Sequence, residues 1–99
     1  TRKYKLTEYV ATRILKNDVV MGISTSGNSK NVELGMKTSL KKGAKTIGLL
    51  GNNGGTIKSV SNIPIIVNSN DTANIQESHR VIYHIICNLV EKKLSEEEV

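Results

Sequence analysis

The chain has 99 residues, enough for one small domain with a single core. It contains no Trp, no Phe and three Tyr, so that core has to be aliphatic. The formal charge is +5, but no helix carries a dense basic stripe interleaved with aromatics, which argues against nucleic acid and suits anionic ligands instead.

Cys87 is a single cysteine among Ile85, Ile86 and Leu89. It reads as a small buried hydrophobe, and no disulfide can form within the chain. With no secretory signal and no apolar run of about 20 residues, the expected address is the cytoplasm, with no membrane span. The chain opens on Thr1 rather than Met, which suggests trimming, proteolysis or a longer parent protein.

In chain order, Leu6, Val10 and Ile14 recur every four residues and predict a helix over 6–16, closed by Asn17 and Asp18. Val19 to Ile23 is a continuous apolar run, the pattern of a parallel strand covered on both faces. A polar loop follows from Ser24 to Asn28. A helix is expected from Ser29 to Lys42, with Val32, Met36 and Leu40 as its stripe and Gly43 beyond its end. Lys45 to Leu50 is the second strand, and Gly51 to Gly55 is a loop that needs positive φ.

A short helical turn at 56–60 leads to a third strand, Ile63 to Val67, where Pro64 marks a strand start or an edge. The last helix runs from Thr72 to Glu91 or beyond. Its inward stripe is Ile75, His79, Ile82, Ile86 and Leu89 or Val90, and a charged tail over 95–99 is expected to fray. This alternation predicts an α/β fold: a parallel sheet between two helix layers, joined by right-handed crossovers.

Ligands of open parallel sheets bind beyond the carboxyl ends of the strands. Ser24, Thr25, Ser26 and Ser29 stand there, beside the free N–H groups and positive dipole end of the following helix. That set favours an anion, and Gly27 allows close backbone approach. No Gly-Lys-Ser/Thr sequence is present, so this is not a nucleotide P-loop. The plainer alternative is that Ser29 or Asn28 only caps the helix. The Gly51–Gly55 loop reads either as a turn or as a second ligand contact.

On the last helix, His79 reads as a core histidine. Gln76, Arg80 and His84 lie on one slowly turning ridge, Gln76 and His84 being about 12 Å and about 80° apart. An imidazole at His84 suits general-base work near neutral pH.

The segments Gly22-Ile-Ser-Thr-Ser-Gly-Asn-Ser-Lys-Asn-Val32 and Gly43-Ala-Lys-Thr-Ile-Gly48 resemble the sugar isomerase (SIS) domain family. Asn70-Asp-Thr-Ala-Asn-Ile-Gln-Glu-Ser-His79, with His84, is similar to the phosphoheptose isomerases within it. The likeness runs from about Tyr9 to Leu94. It implies a three-layer, flavodoxin-like α/β fold, here incomplete, with 1–99 as the C-terminal half of one SIS domain.

The resemblance further implies conversion of sedoheptulose 7-phosphate to D-glycero-D-manno-heptose 7-phosphate through an enediol. In the family this is the first step toward the heptose of bacterial surface polysaccharide. By the same resemblance, Ser24, Thr25, Ser26 and Ser29 hold the phosphate, and Gln76 contacts substrate and a divalent metal, usually zinc. His84 is a metal ligand or the catalytic base. A homotetramer with sites at subunit interfaces is implied, in which Gln76 and His84 serve one ion from different protomers or one of them stands behind the ligands.

The Gly-Asn-Gly-Gly-Ser loop, the His and the Glu of the family's N-terminal half do not occur in this sequence, so the 99 residues alone are expected to be inactive. Two other readings stay open. One is a non-catalytic SIS protein of the replication-initiator-associating type, against which Ser26 and His84 count. The other is a SIS isomerase of an arabinose or hexulose phosphate, against which the Ile-Gln-Glu-x-His pattern counts.

Overall fold

A computed structural model describes residues 12–97. Most of the helix expected over 6–16 lies outside them; Thr12 and Arg13 are helical, and residues 14–16 are not. The elements that follow are β1 (Val19–Ser24), α1 (Lys30–Lys41), β2 (Lys45–Gly51), a 3-10 turn (Ile57–Val60), β3 (Ile63–Val67) and α2 (Thr72–Glu97). The three strands form one parallel sheet in the order β1-β2-β3.

Strand alternation divides β2 between two layers. Leu50 points toward α1 and the 3-10 turn, where it packs with Met36, Ile57 and Val60. On the other face, the position of Gly51 looks onto Ile75 of α2. Leu49 and Leu50 are both fully buried, so the central strand is covered on both sides. A knot of hydrogen bonds fixes its start: Thr46 Oγ1 donates to the Val60 carbonyl, and Asn62 Oδ1 accepts the Thr46 N–H, each at 2.8 Å.

β1 departs from expectation. Val19 and Ile23 are 64 % and 48 % exposed, because β1 is an edge strand and only its α1-facing side is packed. The apolar run there does not mean burial on two faces. Pro64 does lie on the opposite edge strand, at its second residue.

Helix α2 also corrects the reading of its sequence. Its first turns bury Ile75 and His79, Ile82 and Ile86 are half-buried, and Leu89 and Val90 are exposed. Cys87 is exposed rather than buried. The cause is length. Its 26 residues extend about 39 Å at 1.5 Å per residue, whereas the seven-residue β2 spans about 23 Å. The helix outruns the sheet, and its apolar stripe continues past anything the described residues put against it. It also reaches Glu97, into the segment expected to fray.

Candidate functional site at the carboxyl end of β1

The chain leaves β1 at Ser24 and turns through Gly27, whose φ is +75°. A side chain at Gly27 would strike the backbone of Gly54 and come within 2.8 Å of the Gly55 nitrogen. Glycine is therefore required twice, by the left-handed conformation and by the packing of one loop on another. Ser24 Oγ accepts the Gly27 N–H at 3.1 Å and lies 3.4 Å from Ser26 Oγ, which accepts the Asn28 N–H at 3.1 Å. The hydroxyls at 24 and 26 thus shape the loop; one gives its proton to the other, and the second proton is left to donate outward.

The start of α1 bears on the capping alternative. Ser29 sits at the N-cap position, yet no side chain there bonds a backbone N–H of the first turn. Asn28 Oδ1 is engaged elsewhere, accepting the N–H of Thr56 at 2.9 Å. Ser29 is placed to cap without doing so, and the first-turn N–H groups keep no side-chain partner. Such a terminus attracts an anion. Glu33, in the same turn, is held by Thr56 Oγ1 at 3.2 Å and Lys30 at 3.8 Å.

The Gly51–Gly55 loop braces the first one and does not line the same cavity. Asn52 Nδ2 donates to the Thr25 carbonyl at 3.2 Å, and the Ile57 N–H donates to the Gly27 carbonyl at 3.0 Å. A side chain at Gly51 would collide with the Thr25 carbonyl oxygen. Asn52 and Asn53 instead border a shallow hollow with Asn68, Ser69 and Asn70.

Between the β1 loop and α2 lies a cavity of about 730 Å³. It brings together every site residue expected from the sequence: Ser24, Thr25, Ser26 and Ser29 on one wall, Gln76 and His84 on the other. Arg80, Tyr83, His79 and Ile23 complete it. At about 100° per residue, the five α2 side chains fall within an arc of about 140°, so one helical face supplies the whole wall. Tyr83 and His84 meet edge to face, with ring centroids 5.9 Å apart. The Cys87 side chain, one turn further on, holds the Tyr83 phenol above its ordinary range, chiefly by hydrogen bonding and then by charge repulsion.

Tyr83 and Ile23 carried no signal in the sequence, although Tyr83 stands four residues from His79, the spacing of side chains that share a helix face. His79 was legible as buried but not as a wall of the cavity. Among the described residues no three or more His, Cys, Asp or Glu side chains gather where they would hold a metal ion. Toward such an ion the cavity lining offers the Gln76 amide oxygen, a His84 ring nitrogen and the unpartnered Nδ1 of His79. No helix among the described residues is long and apolar enough to cross a membrane.

No protein-family model matches the chain. It is 61% identical over 77 residues to the phosphoheptose isomerase of Citrifermentans bemidjiense, covering 78% of this chain and 40% of that protein. It is 51% identical over 79 residues to that of Geobacter sulfurreducens, covering 80% and 42%. Its fold superposes on a phosphoheptose isomerase structure from Francisella tularensis with a TM-score of 0.83 at 31% identity, over 88% of this chain and 47% of that one. On phosphoheptose isomerase from Neisseria gonorrhoeae the TM-score is 0.84 at 32% identity, over 88% and 49%. The chain thus spans about two fifths of the length of the curated relatives it matches. In sequence and in three dimensions alike, the chain is similar to part of the phosphoheptose isomerases, somewhat under half of their length.

Proposed function

We propose that the cavity binds a phosphorylated seven-carbon sugar, and that the protein interconverts sedoheptulose 7-phosphate and D-glycero-D-manno-heptose 7-phosphate. One observation carries the reading. An uncapped helix terminus with four hydroxyls faces, across one cavity, a helix wall bearing Gln76 and His84. The first is chemistry for a phosphate and the second is chemistry for the carbonyl end. The names of the homologous proteins support the choice of sugar.

In this reading Ser24, Thr25, Ser26, Ser29 and the first-turn N–H groups of α1 bind the phosphate dianion. Gln76 orients the sugar by its amide. His84 removes the proton on the carbon beside the carbonyl, giving an enediolate; a proton passes from the adjacent hydroxyl oxygen to the former carbonyl oxygen, and His84 returns its proton to the neighbouring carbon. A divalent cation such as zinc, when bound, supplies polarisation of the carbonyl oxygen. Gln76 and His84 are this segment's donors to it, and full coordination needs donors from outside the described residues. A ring nitrogen that holds a cation takes up no proton, so the pH–rate profile with and without added zinc separates the two roles of His84. Assembly into a tetramer with shared sites and residence in the cytoplasm belong to the same proposal.

The test is turnover of sedoheptulose 7-phosphate by the full-length protein and its His84→Ala variant, with phosphate binding measured in parallel. The reading expects turnover that falls by at least about a hundredfold in the variant, with phosphate still bound. Equal rates remove His84 from the chemistry. Phosphate binding without turnover in the parent protein favours a non-catalytic, regulatory member of the fold.

A further inference from the structure

Among the described residues, His79 Nδ1 is the one buried side-chain nitrogen or oxygen without a hydrogen-bond partner. His79 is 4 % exposed and forms part of the cavity wall. Its other nitrogen, Nε2, lies 2.8 Å from the carbonyl oxygen of Leu50, at the carboxyl end of β2. A carbonyl oxygen can only accept, so Nε2 carries the proton and donates it. In the neutral ring Nδ1 is then a bare lone pair. Turning the ring over would break the Leu50 bond, so tautomer and orientation are fixed together.

A buried acceptor left empty is a standing cost that a donor on the ligand removes. Across the cavity from His79, the loop wall is rich in donors, the four hydroxyls of Ser24, Thr25, Ser26 and Ser29. They suit the anionic end of a ligand. The Nδ1 lone pair suits an O–H group, which a phosphate dianion lacks and a sugar carries on most of its carbons. Gln76 and Tyr83, one turn to either side of His79 on the same wall, are both exposed.

We infer that His79 Nδ1 accepts a hydrogen bond from a hydroxyl on the sugar portion of the ligand. His79 is then a specificity-determining residue, set in place by Leu50. The inference rests on reading the cavity as a sugar-phosphate site.

Two substitutions separate the two nitrogens. His79→Gln keeps an N–H donor within reach of the Leu50 carbonyl and removes the acceptor at Nδ1. His79→Asn does the reverse, keeping an amide oxygen near the Nδ1 position. Affinities for inorganic phosphate and for sedoheptulose 7-phosphate are measured on the full-length protein and both variants. His79→Gln is expected to weaken the sugar phosphate about tenfold and leave inorganic phosphate unchanged, while His79→Asn keeps the ratio of the two affinities.

A ratio unchanged in His79→Gln, with both probes still bound, overturns the inference and leaves the phosphate site standing. Failure of inorganic phosphate to bind the parent protein overturns both. Should the variants not fold, nitrogen NMR of the parent protein decides. The Nδ1 resonance must move on adding sedoheptulose 7-phosphate and stay in place on adding inorganic phosphate, and any other pattern refutes the assignment.

Discussion

Asn52 donates its side-chain amide to the main-chain carbonyl of Thr25, 27 residues earlier, across a distance of 3.2 Å. That bond ties the end of β2 to the loop that ends β1. Asn52 has a φ of +53°, a conformation that glycine tolerates and alanine resists. Asn52→Gly should therefore cost about 1 kcal/mol, the worth of the bond. Asn52→Ala should cost about 1–2 kcal/mol more for the backbone. Urea unfolding of the two variants checks the order, and both should bind phosphate more weakly than the parent.

Gly27 meets a stricter requirement. Adding one methyl group brings left-handed strain and a backbone collision at Gly54. Gly27→Ala is expected to lose about 2–4 kcal/mol by the sum of those effects. Phosphate affinity should fall with it, because the loop can no longer close on its brace. A variant of parental stability in thermal unfolding would show that the two loops part easily.

Ser29 offers a clean separation of capping from ligand binding. Its hydroxyl makes no cap bond, so Ser29→Ala should leave stability within about 0.5 kcal/mol while weakening phosphate severalfold. A residue serving only as a cap would do the opposite, losing about 1 kcal/mol with phosphate affinity untouched. Paired calorimetric titration and melting curves distinguish the two.

Tyr83 gives a pH-dependent readout. Its phenol is raised above the ordinary value of 10.0 by the Cys87 side chain. A raised acid favours the neutral form in the folded chain. Its contribution to stability is present below the unfolded value and is lost as pH climbs through the folded one. Cys87→Ala should bring the Tyr83 ionisation back toward its ordinary range, seen by ultraviolet titration of the three tyrosines.

These tests draw on features that were unequally visible in the sequence. The order of strands and helices could be read directly, because a strand such as Lys45 to Gly51 and a helix such as Lys30 to Lys41 follow from local pattern and local caps. The hydroxyl loop was legible for the same reason, as were Gln76, Arg80 and His84, which helical geometry alone sets on one ridge. What could not be read was set by relations between segments far apart in sequence. Exposure of Val19, Ile23 and Cys87 depends on the sheet's three-strand width and on α2 outrunning it. The brace from Asn52 and the empty Nδ1 of His79 depend on contacts 27 and 29 residues apart, for which no periodicity exists.

The position of β1 at the margin of the sheet has a practical side. Its sequence, Val-Val-Met-Gly-Ile-Ser, holds no charge and no proline, whereas β3 at the other margin carries Pro64. Unpaired N–H and C=O groups beside exposed Val19 and Ile23 form a template for adding another strand. For these residues handled by themselves, recovery from denaturant becomes a contest between intramolecular closure and strand-to-strand association. The first is independent of concentration and the second rises with it, so dilution rather than cooling is what preserves the monomer.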